Sequence, residues 1–443
     1  MISKETSHGS SEEEYDRRRR AQWLAGEARA DGVARRDMLR LLAAAGAVTG
    51  LAAPTATAAT AAATAAASPV AAGGTVPADA PKGPGIVKPL PADRFTIRGT
   101  NAETKFEALA ETGFHTPASH FFVRNHTATP RLDAKTWRLK IWGDGLEGGG
   151  AREFTLADLK RLPSTSRTAF VECAGNGRSF FTTQQGQPAS GTAWTLGAIG
   201  NARWRGVRLS EVLRRAGVSR HAVDVMPRGL DAEYVTDDGT NLGRVRRPLP
   251  LSKALDDVLL AYEMNGAPLP EDHGFPVRVL VPAWVGIASI KWVGDIEVSS
   301  TPLYSPWNTQ FYRLFGEGHP PEGSAPLTHQ TLKSAFELPW NAPVPAGRTS
   351  HLTGRSWSAK GAITRVEIST DGGGTWHKAH LKDTPRRGSW TRWTTPWHPR
   401  TPGPTTLLAR ATDTTGQTQP QTTPHNTQGY LFDAVVRHAV NVV

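Results

Sequence analysis

Apolar and polar positions alternate most regularly near the C-terminus. Ile363-Thr-Arg-Val-Glu-Ile-Ser369 has period two, Asp371-Gly-Gly-Gly374 follows as a turn, and Thr375-Trp-His-Lys-Ala-His380 returns, which predicts a hairpin. Thr405 to Asp413 predicts a further strand. From about Leu327 onward, short strands with Gly/Pro turns and almost no helical period predict a β-sandwich of immunoglobulin size. Between Phe95 and Ser300 the pattern is mixed. Thr155 to Pro163 reads as a short capped helix stopped by proline, and Leu209 to Gly217 as another, with Ser210 as N-cap and Gly217 as terminator. Strand-like runs fall at Thr168–Val171, Val258–Tyr262, Val277–Val281 and Ile290–Val298, with a tight-turn signal at Asn265-Gly266. Helices and strands do not alternate as a doubly wound sheet requires, so the expected class is α+β followed by a β-sandwich.

The N-terminal stretch carries a different signal. Arg35-Arg36 precedes a weakly apolar run, Leu41 to Ala53, as in a twin-arginine export signal. That run is too short for a stable membrane span, which needs about twenty apolar residues. Residues 54–92 are Ala/Thr-rich, then Pro/Gly-rich, and read as a disordered linker. The expected organisation is therefore signal region 1–53, linker 54–92, catalytic domain 93–318 and β-sandwich 319–443. An exported location follows: periplasmic, extracellular or cell-surface.

Composition narrows the chemistry. One Cys in 443 residues excludes an internal disulfide framework, cysteine-held iron–sulfur clusters, zinc ribbons and c-type haem attachment. The net charge of +11 favours anionic partners. It is dispersed, however, and the one dense run, Arg17 to Arg20, follows Glu12–Glu14 and Asp16, which argues against nucleic acid. The single Cys173 ends a strand-like run immediately before Ala-Gly-Asn-Gly177, with Arg178 next. Backbone amides of such a turn can face an anion. The residue pattern leaves three roles open: nucleophile, soft-metal ligand or small buried hydrophobe.

The surrounding motifs resemble the sulfite oxidase family of molybdopterin enzymes from about residue 105 to the C-terminus. They are Phe121-Phe-Val-Arg-Asn-His126, Glu172-Cys-Ala-Gly-Asn176, Trp194, Gly197-Ala-Ile199, Ala202-Arg-Trp-x-Gly206, Gly229-Leu-Asp231, Val281-Pro and Lys291-Trp-Val293. The longest runs from Leu260 through Asn265-Gly-x-Pro-Leu-Pro-x-Asp-His-Gly-Phe-Pro-Val-Arg278. In the tail, Asp371-Gly-Gly-Gly-Thr-Trp376 matches the family's dimerisation domain. The resemblance implies a Mo-molybdopterin cofactor with Cys173 as the metal's protein ligand. It implies pterin and phosphate contacts from Phe122, Val123, Arg124, Asn125, His126, Asp231, His273, Arg278, Ser289, Ile290 and Lys291. It assigns the substrate oxyanion to Arg124, Arg178 and Arg392 beside Trp194, and an active-site role to Tyr312. The implied reaction oxidises sulfite to sulfate by oxo transfer and passes electrons to a separate acceptor such as a c-type cytochrome; the implied assembly is a homodimer.

The chain departs from the animal enzymes at Gly177, where they carry a second arginine, in the 182–191 loop, and at Phe311 before Tyr312. The form after Cys173 is closer to the bacterial sulfane dehydrogenase subunit. Sulfane oxidation, methionine sulfoxide reduction and a non-enzymatic exported binding protein are the alternatives.

Overall fold

The computed structural model describes residues 85–443. The expected twin-arginine region and most of the expected linker lie outside the described residues. The linker's last residues are tied to the body: Val87 and Lys88 donate their backbone N–H groups to the Asp272 carboxylate at 3.0 and 2.8 Å. The folded part therefore begins before residue 93. Ile86 and Leu90 pack on Phe95, Ala102 and Val123, an anchor that the Pro/Gly composition did not reveal. Among the described residues no helix is long and apolar enough to cross a membrane.

Two five-stranded sheets build the first part of the body. In one, Ser164–Glu172 pairs with Ile199–Arg208, which pairs with Leu259–Met264; Ala267–Pro268 and Arg278–Leu280 then pair with that last strand, all antiparallel. In the other, the order is Arg152–Thr155, Arg138–Trp142, Val293–Ser299, Asp224–Gly229 and Leu249–Pro250, with Arg138–Trp142 and Val293–Ser299 parallel. The fold is mixed but sheet-rich, with few and short helices. Leu156–Arg161 is capped by Thr155 through a capping box with Asp158. Leu209–Ala216 starts two residues earlier than Ser210 as N-cap would allow: Arg208 occupies the cap and contributes no side-chain bond, because the helix follows directly from a strand. Gly217 ends it in the left-handed conformation, as expected. Asn265 and Gly266 both have positive φ, which the tight turn between its strands requires.

The C-terminal part is a sandwich. Lys333–Phe336, Ser350–Trp357, Trp390–Trp397 and His380–Leu381 form one sheet. The second sheet contains Ala342–Val344, His438–Val442, Gly403–Asp413, Ile363–Ser369 and His377–Lys378. Phe336, Leu352 and Trp393 from the first meet Val366, Ile368, Leu407 and Val440 from the second in one buried cluster. The segment between Asp413 and His438 leaves the sandwich and returns to the first domain. Leu431 donates to the Ala174 carbonyl at 2.8 Å, and Phe432 packs on Phe180 and Phe181. This return places second-domain residues beside the sole cysteine.

Candidate active site

Cys173 follows the last residue of the strand Ser164–Glu172 and is 7% exposed. Its N–H donates to the Ala198 carbonyl, and its own carbonyl accepts from Asn176 N–H at 3.0 Å, so the turn is closed by its own backbone. Gly177 continues it with a φ of 95°. Two clefts meet at this point. Arg124, His126, Cys173 and Tyr312 line both.

The first cleft encloses about 730 Å³ and holds most of the residues expected to bind cofactor: Phe122, Arg124, Asn125, His126, Asp231, His273, Arg278, Ser289, Ile290 and Lys291. Its cations are buried and hydrogen-bonded largely to backbone carbonyls. Arg278 donates to the carbonyls of His273 and Ser289 at 3.1 and 2.9 Å. Burial pulls its pKa down to about 9. Lys291 donates to the Asp272 carbonyl at 2.9 Å and to Asn125 Oδ1, and burial beside Arg278 pushes its pKa well down. His273 is held neutral by burial and by the cations around it, and its buried Nε2 has no hydrogen-bond partner within the protein. Burial raises Asp231 to about 6.

The second cleft encloses about 810 Å³. Arg178 lies in it at 7% exposure, donating from Nε to the Gln428 carbonyl and from Nη1 to the Thr192 carbonyl, both at 2.8 Å. Gly175, Gly191 and Gly429 close around this side chain; a Cβ on any of them would come within 2.9 Å of it. Arg124 Nη2 lies 3.1 Å from His126 Nε2, which also accepts from Trp307 Nε1 at 3.1 Å. Two donors on Nε2 place the imidazole proton on Nδ1, and burial next to Arg124 keeps the ring neutral. Tyr312 has a φ of 58° and stacks on Tyr430 with centroids 5.1 Å apart. Burial raises both phenols, so each keeps its proton. Trp194 is fully buried in the cleft wall, with its indole N–H unpartnered within the protein.

Two expected residues are elsewhere. Arg392 lies on the sandwich strand Trp390–Trp397, and its guanidinium is bound by Asp383 at 2.8 Å; it lines neither cleft. In this structure the pairing with Asp383 satisfies its charge. Val123 turns its side chain toward Phe95 and Ala102, with its backbone bonded to Ala102, and also lines neither cleft. Sequence reasoning missed Asp272, Trp292, Gln428 and Tyr430. Asp272 and Trp292 sit inside quoted motifs beside His273 and Lys291. Gln428 and Tyr430 gave no signal, since they reach the site from a distant irregular segment.

Residues 126–307 match the model of the oxidoreductase molybdopterin binding domain, and residues 333–443 that of the Mo-co oxidoreductase dimerisation domain. Chicken sulfite oxidase is 35% identical over 382 residues, covering 80% of each chain. The chain belongs to the sulfite oxidase family of molybdopterin oxidoreductases. Mouse mitochondrial sulfite oxidase is 36% identical over 364 residues, covering 78% of this chain, which spans 65% of that relative's length. The sulfane dehydrogenase SoxCD of Paracoccus pantotrophus superposes with a TM-score of 0.67 at 28% identity, covering 79% of this chain and 90% of that one.

The first cleft fits the family's cofactor. An anionic phosphate suits buried Arg278 and Lys291, an unpartnered His273 Nε2 suits a polar ligand, and Asp231 suits ring N–H donors. Among the described residues no group of three His, Cys, Asp or Glu side chains could hold a metal.

Proposed function

We propose that this chain oxidises sulfite to sulfate, with Cys173 as the protein ligand of molybdenum, and passes the electrons to a separate acceptor. The observation that carries this reading is the position of Cys173 where the cationic cofactor cleft opens onto a second cleft bearing Arg124, Arg178 and Tyr312. When bound, the molybdenum centre supplies the redox change and the oxygen transfer. The protein supplies position and field. Arg278, Lys291 and His273 would hold the phosphate end, and Asp231 would accept from the ring N–H donors. In the second cleft, guanidinium groups favour a small oxyanion over neutral compounds. The carbonyls of Gln428 and Thr192 orient Arg178, and His126, neutral and pinned by Trp307, orients Arg124. Tyr312 keeps the proton on Oη and can donate it in a hydrogen bond to substrate oxygen. Trp194, Trp307, Phe311 and Tyr430 narrow the cleft and thin its water, which strengthens charge–dipole interactions there.

A sulfane dehydrogenase-like activity is the second reading. The structural match to that enzyme and Gly177, with no arginine beside Arg178, favour it. Export by the twin-arginine route, a c-type cytochrome acceptor and a homodimer joined through the sandwich complete the proposal; the match to a dimerisation domain supports the last.

The test is molybdenum by mass spectrometry on purified full-length protein, with sulfite-dependent cytochrome c reduction on the same sample. About one metal per chain with turnover is expected. Metal without sulfite turnover but with sulfane turnover establishes the second reading. Folded protein without metal, from cells that make the cofactor, overturns both.

A further inference from the structure

Glu172, the residue before Cys173, is completely buried, and most of its partners come from the second domain. Lys333 Nζ lies 2.7 Å from Oε1, and Trp357 Nε1 donates to Oε2 at 3.0 Å. Gln330 Nε2 donates to the Glu172 backbone carbonyl at 2.6 Å. From the first domain, Asn176 Nδ2 donates to Oε1 at 2.9 Å, while Asn176 Oδ1 accepts from Ala198 N–H at 3.0 Å. The carboxylate thus joins two contacts from the sandwich to one from the turn that carries Cys173. Lys333 is 2% exposed.

We infer that Glu172 and Lys333 are positioning residues, through which the second domain fixes the cysteine turn in the geometry its sulfur needs. A buried ion pair is a poor source of net stability, because desolvating both charges offsets most of their attraction; its best-attested use is to fix one arrangement among several. The network here does so one peptide bond from the sulfur. Removing Lys333 leaves a buried carboxylate bonded only by Trp357 and by the Asn176 side chain of the turn, so its uncompensated charge is borne by the turn itself. The turn then shifts, and Cys173 with it. The inference rests on the reading of Cys173 as metal ligand.

The chain's single cysteine makes the test direct, since Cys173 is the only thiol for iodoacetamide to alkylate. In cofactor-free protein, Lys333→Met is expected to raise the alkylation rate about tenfold or more, with Lys333→Arg returning it toward the wild-type value. Glu172→Gln combined with Lys333→Met removes both charges and keeps amide hydrogen bonding, so it reports on the same turn if the single variant does not fold. Glu337→Gln disturbs another buried ion pair of the sandwich, with Arg355, that does not touch the cysteine turn. It should lower the melting temperature and leave the alkylation rate within about twofold. In loaded enzyme, Lys333→Met should lower kcat about tenfold with little change in KM. Wild-type alkylation and kcat in both Lys333 variants, with only a lower melting temperature, would overturn the inference. Cys173→Ser separates the premise: abolished turnover and an altered metal absorption spectrum in protein that keeps its cofactor uphold Cys173 as ligand, whereas a wild-type spectrum with wild-type turnover overturns the reading and this inference together.

Discussion

The cofactor cleft and the anion cleft share four residues yet are built on different principles. The cofactor cleft comes wholly from the first domain, mostly from three stretches, 121–126, 272–278 and 286–292. Its cations are crowded and buried, so that Arg278 falls to about 9 and Lys291 is pushed well below its ordinary value. The anion cleft takes Arg178, Thr192 and Trp194 from the first domain and Gln428 and Tyr430 from the second. Recognition of a large, invariant cofactor can thus be encoded in compact motifs. The second cleft depends on how two domains dock, which no short motif encodes.

Substitutions can break this division of labour or sharpen it. Cys173 belongs to both clefts, so Cys173→Ser should abolish turnover in a protein that still folds and still holds cofactor through the first cleft; activity, metal analysis and circular dichroism on one preparation check it. Arg278→Met should act on the cofactor cleft alone. A buried hydrogen bond to a charged group contributes about 1.5–3 kcal/mol. Cofactor affinity should accordingly fall by about ten- to a hundredfold, while KM for sulfite in the remaining loaded molecules stays near wild type. Arg124→Gln should do the reverse for substrate, raising KM about tenfold or more at little-changed molybdenum content. An Arg124→Gln enzyme with wild-type KM would remove that arginine from the anion site.

Asp231 gives a pH-dependent test of the cofactor cleft. Its pKa rises from 3.8 to about 6 because burial disfavours the carboxylate. A raised folded-state pKa contributes stability that is fully present below about pH 4 and is lost as pH rises through about 6. Cofactor-free wild type should therefore lose about 2 kcal/mol from this group between pH 4 and pH 7. Asp231→Asn has no such group, so its melting temperature relative to wild type should climb over that interval. Parallel melting curves for the two proteins would refute the assignment.

Much of the fold was legible because local signals agree with it. The hairpin at Ile363–Ser369, the helix closed by Gly217 and the Asn265-Gly266 turn all follow from periodicity and turn chemistry. The cofactor residues were legible because they cluster in short motifs. Three things were not. Lys88 and Val87 sit in Pro/Gly-rich sequence and join the body through distant partners: both donate backbone N–H groups to Asp272, and Lys88 Nζ donates to the Ala118 carbonyl. Tyr430 and Gln428 reach the anion cleft from an irregular return segment whose position depends on domain docking. The second-domain partners of Glu172 come from more than 150 residues downstream, and no local pattern reports a buried ion pair of that span.

Arg392 makes the finest distinction between the clefts and the remaining surface. A Trp-Thr-Arg-Trp pattern sets it among aromatic residues, as in an anion site, and motif similarity alone places it beside Arg124. Its guanidinium instead makes paired contacts with Asp383, Nε at 3.1 Å to Oδ2 and Nη2 at 2.8 Å to Oδ1, and this raises its pKa through the hydrogen bond to the carboxylate. An arginine already neutralised by a carboxylate offers a sulfur oxyanion little field. Arg392→Gln should thus leave KM for sulfite and molybdenum content unchanged and lower stability by no more than about 1 kcal/mol, the usual range for a partly exposed pair. A rise in KM comparable to that of Arg124→Gln would mean that Asp383 releases the arginine when substrate arrives, and the anion cleft would then extend further into the second domain than Gln428 and Tyr430.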